Sequence, residues 1–420
     1  MLDGAFTAAC EEALARWGVP GAAVGVLAAG EAELRAFGVL DQRTGEPVTP
    51  GSTFRIASIT KPFTASLALR ISLAGLLALD EEVPGPVEGL TTRHLLSHLS
   101  GFEGECGDLA RFGEGDDALP LLVAELAAQP QLVPPGEVWS YCNAGYWLLA
   151  QLLADRAGTT YEQALADRVL NPLGLRHTGF GAPQATGHEP VSPGGSRHEP
   201  VPDAYPRARR ASGGLVSNLD DLLTFARFHL ESPETEILRR PVADTPTGAY
   251  GFGFALERVG ELELWGHAGD YGGFVSRLVL APERKVAFVG LTNSDRGGVA
   301  LEEILDVVLE RVLGVRRAQP ETVPLPAAEL ELLAGRYGHS ELELELRAER
   351  DRLAVDAVEI GRATGVRTAQ PPLRARSLGG GLFALEGDEW EHARFDFHPR
   401  VGKPRFVRFG SRLAPRLSGA

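Results

Sequence analysis

The first half of the chain carries mostly helical hydrophobic patterns around one early pair of strands. Residues 4–17 place Phe6, Cys10 and Leu14 on one face, which predicts an amphipathic helix. The apolar runs 22–30 and 31–41 predict two strands that turn near Gly30. Further helical periodicity is found over residues 58–78, in parts of 91–128, and over 144–158, 161–170 and 218–230.

The second half changes to strand patterns. From residue 250 several short apolar runs predict strands, and residues 300–314 predict a closing helix. The Pro-rich stretch 318–330 predicts a linker, and beyond it apolar and polar residues alternate with the period of two that strands require. We therefore expect three parts, namely a main domain over residues 1–317, a linker over 318–330 and a small antiparallel β domain over 331–420.

One stretch between the helical and strand-rich parts fits neither pattern. Residues 181–208 are rich in Pro, Gly and His, and the tetrapeptide His-Glu-Pro-Val begins at residue 188 and again at residue 198. An echo this short does not indicate a repeat architecture. The composition predicts a long surface loop.

Composition and charge set the class of protein. The chain has 420 residues, with 44% hydrophobic and 23% charged, which is typical of a folded protein of two or three domains. Its net charge of −15 disfavours nucleic acid as a partner. The N-terminus lacks a secretory signal pattern, and no apolar run reaches the length of a membrane span. With three widely spaced cysteines (Cys10, Cys106 and Cys142), these features predict a cytoplasmic protein without disulfides or a membrane partner.

Several kinds of catalytic motif are absent from the sequence. It contains no G-x-S-x-G, H-E-x-x-H, P-loop or G-x-G-x-x-G pattern, which argues against nucleotide and zinc enzymes. His94 and His98 have helical spacing but no third ligand in register, so we expect them to pack and to form hydrogen bonds. No metal or cofactor is predicted.

A candidate nucleophile opens the helical segment at 58–78. Ser58 and Lys61 are three residues apart, which places them on one helical face with the amine in reach of the hydroxyl. A serine hydroxyl needs a neighbouring base, and a desolvated lysine near a helix N-terminus is favoured in the neutral form that can act as one. Taken alone, the pair is better explained as a surface lysine one turn into a helix.

Two further clusters carry polar groups. Tyr141 and Asn143 precede the helix at 144–158, where the tyrosine could move a proton and the asparagine could donate to a substrate oxygen. The alternative is that Asn143 caps the helix and Tyr141 is half buried; Cys142 between them is expected to be a packed side chain. His267 could bond a tyrosine or a substrate carboxylate, and Gly269 would let a substrate backbone approach the strand.

Together and in this order, the three clusters resemble the motifs of the serine β-lactamase superfamily. The three motifs are Ser58-Ile59-Thr60-Lys61 and the tripeptides that begin at Tyr141 and at His267. They resemble most the class C branch of the superfamily, with its related D-peptidases, D-aminopeptidases and esterases. Class A is disfavoured because neither S-D-N nor K-T-G occurs. Supporting stretches resemble the same family: HLLSHLSG (94–101), NPLGLRHTGF (171–180), GGLVSNLDDLLTFARF (213–228) and HAGDYGGFVSRLVLAPERKVAFVGLTN (267–293).

The resemblance implies a fold and an active-site location. We expect an α/β class protein with a β-lactamase-like sandwich, in which an antiparallel sheet flanked by helices joins an α-helical subdomain. The active site would lie in the groove between them. The part from LAGRYG (333–338) onward resembles, more loosely, the lipocalin-like, barrel-like all-β domain that some members append.

The resemblance also implies a role for each residue. Ser58 would be acylated, Lys61 would assist its deprotonation, and Tyr141 would serve as general base or acid. Asn143 would position substrate and Lys61, with His267 where class C β-lactamases have lysine and Gly269 giving access to the strand. The oxyanion hole would be formed by the backbone N–H groups of two residues, Ser58 and Asp270.

These roles predict a serine hydrolase that works through an acyl-enzyme on small esters, amides or short peptides, including those with D-residues. His267 in place of lysine, together with the negative Asp270, argues against anionic substrates. The alternatives are a β-lactamase or D-Ala-D-Ala carboxypeptidase, and a catalytically silent binding module on the same fold. The sequence leaves the oligomeric state open.

Overall fold

The computed structural model describes residues 2–85, 87–104, 108–126, 128–191, 198–361, 365–387 and 393–417. Within these ranges the helices are α1 Gly4–Arg16, α2 Thr60–Leu73, α3 Thr92–Leu96, α4 Ala118–Leu126, α5 Asn143–Ala157, α6 Tyr161–Leu165, α7 Arg210–Gly213, α8 Leu219–Glu231, α9 Gly297–Val308 and α10 Ala327–Leu333. The strands before the Pro-rich stretch are β1 Gly21–Ala28, β2 Glu31–Gly38, β3 Phe54–Arg55, β4 His188–Pro190, β5 His198–Pro200, β6 Val216–Ser217, β7 Ala243–Thr245, β8 Gly248–Tyr250, β9 Ala255–Val259, β10 Leu262–Tyr271, β11 Phe274–Ala281 and β12 Val286–Thr292.

The larger sheet joins the two ends of the main part of the chain. Among the described residues its eight strands lie in the order β2-β1-β12-β11-β10-β9-β8-β7, and all its pairs are antiparallel. The predicted hairpin is confirmed by β1 and β2, which pair from Gly21↔Gly38 to Ala28↔Glu31. β1 also pairs with β12, so strands separated by about 260 residues are neighbours in the sheet.

Both faces of this sheet are buried, as the residues of β1 show. Val24 and Val26 pack into the apolar cluster that contains α1 and α9, whereas Ala23 and Leu27 pack into the cluster that contains α2 and α8. Successive strand residues point to opposite faces, so a strand buried on both sides has no polar face to show. The helix–sheet–helix arrangement confirms the predicted fold class.

Whereas α8 packs against the larger sheet, the helices α2 to α7 pack on one another and form the second lobe of the main part. α2 runs through its centre and is buried on nearly all sides from Thr60 to Ile71. The predicted helix over 58–78 is shorter in the structure, because Gly75 takes a left-handed conformation with φ of 73° just after it. α5 matches the predicted helix at 144–158 and ends at Gly158, which is also left-handed.

The prediction of a plain surface loop over 181–208 is wrong in part. The two copies of the His-Glu-Pro pattern pair with each other as β4 and β5, with His188 opposite Pro200. His188 is buried, and its amide donates to the Asn293 carbonyl at 3.1 Å. The repeated pattern therefore forms a hairpin attached to the sheet; its connection, residues 192–197, lies outside the described residues.

A second sheet follows α10. Its strands are β13 Gly335–His339, β14 Leu342–Glu349, β15 Arg352–Ile360, β16 Arg367–Ala369, β17 Leu373–Gly379, β18 Leu382–Leu385, β19 Arg394–His398, β20 Phe406–Phe409 and β21 Arg412–Pro415. We call them the C-terminal sheet. An antiparallel bridge between Tyr337 and Arg416 brings its first and last strands together, so the sheet is nearly closed and barrel-like, as predicted. α10 begins at Ala327, inside the stretch 318–330 that the sequence indicated as a linker.

Candidate active site

Ser58 lies in a single helical turn, Ala57–Ile59, that leads directly into α2. The Ile56 amide donates to the Leu215 carbonyl at 3.0 Å, and the Ile56 carbonyl accepts from Ser276 Oγ at 2.8 Å. Ala57 has φ of 42°, a left-handed conformation that costs energy for a residue with a side chain. These bonds hold the strained backbone, and with it Ser58, between the larger sheet and the helical lobe.

Lys61 lies one turn further along and contacts Ser58 as predicted. Its Nζ donates to Ser58 Oγ at 3.1 Å and to the Ser212 carbonyl at 2.7 Å. The side chain is buried, and Nζ lies 4.7 Å from the centroid of the Tyr141 ring. The spacing of three residues therefore brings Lys61 Nζ into contact with Ser58 Oγ. The Tyr141 ring packs over the same amine.

The second cluster approaches the same point from the start of α5. Tyr141 and Asn143 line the same cavity as Ser58. The structure makes Cys142 the N-cap of α5, because its Sγ accepts from the Gly145 amide at 3.2 Å. The alternative interpretation of Asn143 as the helix cap is therefore wrong. Cys142 is buried, as expected; Cys106 lies outside the described residues.

His98 packs against this cluster and accepts a hydrogen bond from it. Its Nδ1 accepts from the Cys142 amide at 3.0 Å, and its ring lies 4.4 Å from that of Tyr141, centroid to centroid. Burial and then the nearby charge of Lys61 lower the pKa of His98 well below its usual value. His94 takes part in the N-terminal cap of α3, because its Nδ1 accepts from the Thr91 amide. Both histidines pack and form hydrogen bonds, as predicted.

His267 is buried on β10 and bonds a tyrosine. Its Nε2 lies 3.1 Å from Tyr250 Oη, and its Nδ1 contacts the Ala268 carbonyl. Burial raises the pKa of Tyr250 well above its usual value, so this phenol stays protonated and donates to Nε2, which leaves the proton of His267 on Nδ1. Burial, and then the charge of Lys61, lowers the pKa of His267 to about 3. The imidazole is therefore neutral at neutral pH.

Gly269 is required for a reason that the sequence did not indicate. A Cβ on this residue would meet the Ile56 carbonyl oxygen far inside van der Waals contact and would lie 3.0 Å from the Ser58 amide nitrogen. The neighbour that excludes a side chain here is the turn that carries Ser58. Gly269 also lines the cavity, so access of a substrate backbone to this strand stays a prediction.

Gly269→Ala is expected to destabilise the protein by about 1–3 kcal/mol, because the new methyl group overpacks a backbone contact that cannot shift cheaply. Gly298→Ala is the matched control, since a Cβ there would meet only Val275 Cγ1 at an ordinary 3.6 Å. In the first turn of α9 that change is expected to stabilise by about 0.5 kcal/mol. Urea unfolding of both variants measures the difference; equal stabilities would contradict the packing argument.

The backbone of β10 leaves an open edge beside Ser58. Tyr271 and Phe274 flank the two-residue turn Gly272–Gly273, so they form a hydrogen-bonded pair with each other. The amide of Asp270, one residue earlier, therefore points away from β11. β9 pairs with β10 only as far as Gly266, so this side of Asp270 is unoccupied by that strand. The geometry is compatible with the predicted oxyanion hole.

These residues border a cavity of about 790 Å³. The predicted residues on its wall are Ser58, Tyr141, Asn143, His267, Gly269 and Asp270. Four arginines also line it among the described residues: Arg209, Arg277, Arg394 and Arg412. Arg277 contacts Glu302 at 2.8 Å and Arg412 contacts Glu341 at 3.1 Å. The lining therefore carries positive groups as well as Asp270, and the exclusion of anionic substrates stays a prediction.

Two groups of cavity residues were missed from the sequence. The first is Ser212, whose carbonyl accepts from Lys61; it directly precedes the quoted stretch 213–228, so extending that match by one residue would have found it. The second comes from the C-terminal sheet, namely Arg394 on β19 and the turn at Gly410–Arg412. No motif in the sequence pointed to these, because only the folded chain brings them to the cavity.

Acid is expected to destabilise the protein through its buried histidines. Burial lowers the pKa of His98 and His229 well below the usual value and that of His267 to about 3. In the unfolded chain these side chains bind protons below about pH 6.5. The unfolded state then binds more protons, so stability falls as pH drops below 6.5.

Each neutral histidine is expected to contribute about 2 kcal/mol to the loss of stability between pH 7 and pH 5. Urea unfolding at both pH values measures it. His229→Gln, compared with its own stability at pH 7, should lose about 2 kcal/mol less than the parent chain. If His229→Gln loses as much stability between pH 7 and pH 5 as the parent chain does, His229 is not held neutral.

Two kinds of site are absent from the described part of the chain. No group of three or more His, Cys, Asp or Glu side chains there is arranged to hold a metal ion. Likewise, none of the helices described is both long and apolar enough to cross a bilayer.

Comparison with known proteins points to one family. The family model described as Beta-lactamase matches residues 6–312. Penicillin-binding protein 4 of Amycolatopsis lactamdurans is 33% identical over 362 residues, which cover 76% of this chain and 93% of that protein. A D-aminopeptidase of Gluconobacter oxydans is 29% identical over 385 residues, or 83% of this chain and 69% of the relative. SurE, also solved with D-Leu, superposes with a TM-score of 0.78 at 28% identity over 98% of both chains.

The family match spans the sheet, the helical lobe and the three clusters that meet at the cavity. The relatives extend the similarity over most of the chain. This protein therefore belongs to the serine β-lactamase family.

Proposed function

We propose that this protein is a serine hydrolase that forms an acyl-enzyme on Ser58 from small esters, amides or short peptides, including peptides with D-residues. The observation that carries the proposal is the contact of Ser58 Oγ with Lys61 Nζ at 3.1 Å on the wall of a cavity. A buried amine beside an accessible hydroxyl is the arrangement that activates a weak nucleophile.

In the acylation step, Lys61 acts in its neutral form, reached by loss of its ammonium proton, and accepts the Ser58 proton while Oγ attacks the substrate carbonyl carbon. The carbonyl oxygen becomes an oxyanion, which the amides of Ser58 and Asp270 stabilise by hydrogen bonds. The bond to the leaving group then breaks, and a proton passes to that group by way of Tyr141, whose ring lies over Lys61 Nζ. Asn143 donates to the substrate at the same wall.

In the deacylation step, a water molecule attacks the acyl carbon and gives a proton to Tyr141, which passes its own phenolic proton to Lys61. The bond between the acyl carbon and Ser58 Oγ then breaks, Lys61 returns a proton to Oγ, and the acid is released. Neutral His267 does not serve as a base in this scheme, because its Nε2 already accepts from Tyr250. It holds the phenol of Tyr250 at the cavity wall instead.

The substrate class is supported by the cavity and by the names of the relatives. A volume of about 790 Å³ suits a short peptide or a compact ester. Relatives named D-aminopeptidase and a related structure with D-Leu favour D-residues in the substrate. The arginines on the wall favour substrates with a carboxylate as well, which a β-lactamase or D-Ala-D-Ala carboxypeptidase also requires. That activity is the second candidate, favoured by the relative named penicillin-binding protein 4.

Two further predictions remain part of this proposal. We keep the division into a hydrolase domain over residues 1–317, a linker over 318–330 and a β domain over 331–420. A cytoplasmic location also stays a prediction. The substrates are the partners we propose, and the oligomeric state stays open.

The test is a rate panel followed by mapping of the adduct. The substrates are a p-nitrophenyl acyl ester, D-alanyl and L-alanyl p-nitroanilides, and a chromogenic cephalosporin. We expect turnover of at least one, with a preference for the D-isomer, and an acyl mass on the peptide that contains Ser58. Preferred turnover of the cephalosporin would select the second candidate. No turnover and no adduct would favour a silent binding module.

A further inference from the structure

The segment that leads to Tyr141 is held by the C-terminal sheet. The Tyr141 amide donates to the Ser411 carbonyl at 2.9 Å, and the Leu413 amide donates to Ser140 Oγ at 3.1 Å. Ser411 lies in the turn between β20 and β21 and has φ of 69°. The backbone of a proposed proton-transfer residue is therefore bonded to a hairpin 270 residues later in the chain.

Arg408 on β20 reaches further into the same region. Its Nε and Nη2 donate to the two carboxylate oxygens of Asp396 at 2.8 and 2.6 Å. Its Nη1 donates to the Trp139 carbonyl at 3.1 Å and to the Asp244 carbonyl at 3.0 Å. Both Arg408 and Asp396 are buried, so water does not compete for these bonds.

The two carbonyls belong to two different segments of the chain that border the cavity. Trp139 lines the cavity and lies two residues before Tyr141, while Asp244 directly precedes Thr245, which also lines it. A guanidinium is planar and rigid, and Asp396 fixes its orientation with two parallel bonds. A single nitrogen of Arg408 therefore joins the two segments.

A role in stability alone would explain these contacts poorly. A buried ion pair stabilises a fold weakly, because the cost of removing two charges from water offsets most of their attraction. Such pairs can instead favour one particular arrangement of the groups they touch. Here those groups are the backbone next to the proposed general base and the backbone of a second segment that borders the cavity.

We propose that Arg408, oriented by Asp396, is a positioning residue of the active site, which fixes the segment Trp139–Tyr141 relative to the strand Ala243–Thr245. The C-terminal sheet thereby helps to set the geometry of the active site. This inference rests on the proposed function, because a displacement of Tyr141 is detected as a change in the rate of the proposed hydrolysis.

The kinetic experiment compares Arg408→Lys and Asp396→Asn in the full chain with the matched control Arg374→Lys. Arg374 pairs with Glu349 on an exposed part of the same sheet. Active sites are counted by titration with a small fluorophosphonate, so kcat refers to intact molecules. We expect kcat per titrated site to fall about 30-fold in Arg408→Lys and less in Asp396→Asn, because small displacements of a catalytic group are costly. The control should match the parent chain.

A second measurement does not depend on turnover. Hydrogen–deuterium exchange is expected to speed up in peptides that cover 138–142 and 242–246 in Arg408→Lys and to stay unchanged there in Arg374→Lys. Fewer titratable sites with normal kcat per site and unchanged exchange in both peptides would show a purely structural role and overturn the inference. If the parent chain has no turnover that depends on Ser58, the proposed function fails, and the exchange result alone decides whether Arg408 positions these segments.

Discussion

Ser58→Ala is expected to lower kcat/KM by about 10³-fold or more and to abolish the acyl adduct, because it removes the atom that forms the covalent bond. Ser58 Oγ is the hydroxyl that Lys61 contacts at the cavity wall, and the same strained turn supplies one of the two proposed oxyanion donors. The variant keeps the backbone amide. Its residual rate therefore reports what oxyanion stabilisation and binding contribute without the nucleophile.

The matched control is Ser72→Ala, a serine near the other end of the same helix α2. It removes the same atom from the same element but lies outside the cavity, so its rate should equal that of the parent chain. Intact-mass spectrometry during turnover detects the adduct in the control and should miss it in Ser58→Ala. An adduct that persists in Ser58→Ala would identify another nucleophile and contradict the mechanism.

Lys61→Met is expected to lower kcat/KM by about 10³-fold while leaving Ser58 in place. Methionine fills the space of the lysine stem but has no nitrogen to accept the Ser58 proton. The change also leaves the buried Ser212 carbonyl without the donor it has at 2.7 Å, which costs about 1–3 kcal/mol. Removal of a buried amine offsets part of this cost, so we expect a folded protein that is acylated slowly.

The chain has three lysines, and Lys403 is exposed, so Lys403→Met provides a matched control with the same change of charge. Stopped-flow acylation and thermal unfolding separate the two effects. A slow acylation step in a variant that unfolds near the temperature of the parent supports the proposed base. A normal acylation rate in Lys61→Met would assign deprotonation of Ser58 to another group.

The local elements could be predicted where their pattern was strong. The N-terminal helix, the first hairpin and α5 appear within three residues of the predicted bounds, because period and flanking glycines fixed them. The helix after Ser58 was predicted too long, since its apolar character continues past the residue where Gly75 ends it. The segment at 181–208 was misjudged because a strand as short as β4 is stabilised only by its partner.

The reasons for individual site residues were harder to predict than the residues themselves. His267 was expected near a tyrosine, and the structure supplies Tyr250, which lies 17 positions earlier on another strand. Gly269 was singled out for substrate access, but its small size is required by the Ile56–Ser58 backbone. Contacts of this kind join elements that no sequence spacing relates.

By itself, the sequence determined the fold class, the family resemblance and the three clusters that meet at the cavity. It could do so because helical spacing fixes Ser58 against Lys61, and because family motifs are local. Only the tertiary structure decided what surrounds them: the Ser212 carbonyl on Lys61, the arginines on the wall, and the C-terminal hairpin bonded to Tyr141. These depend on distances between residues far apart in the chain, which are set when the two sheets and the helical lobe pack together.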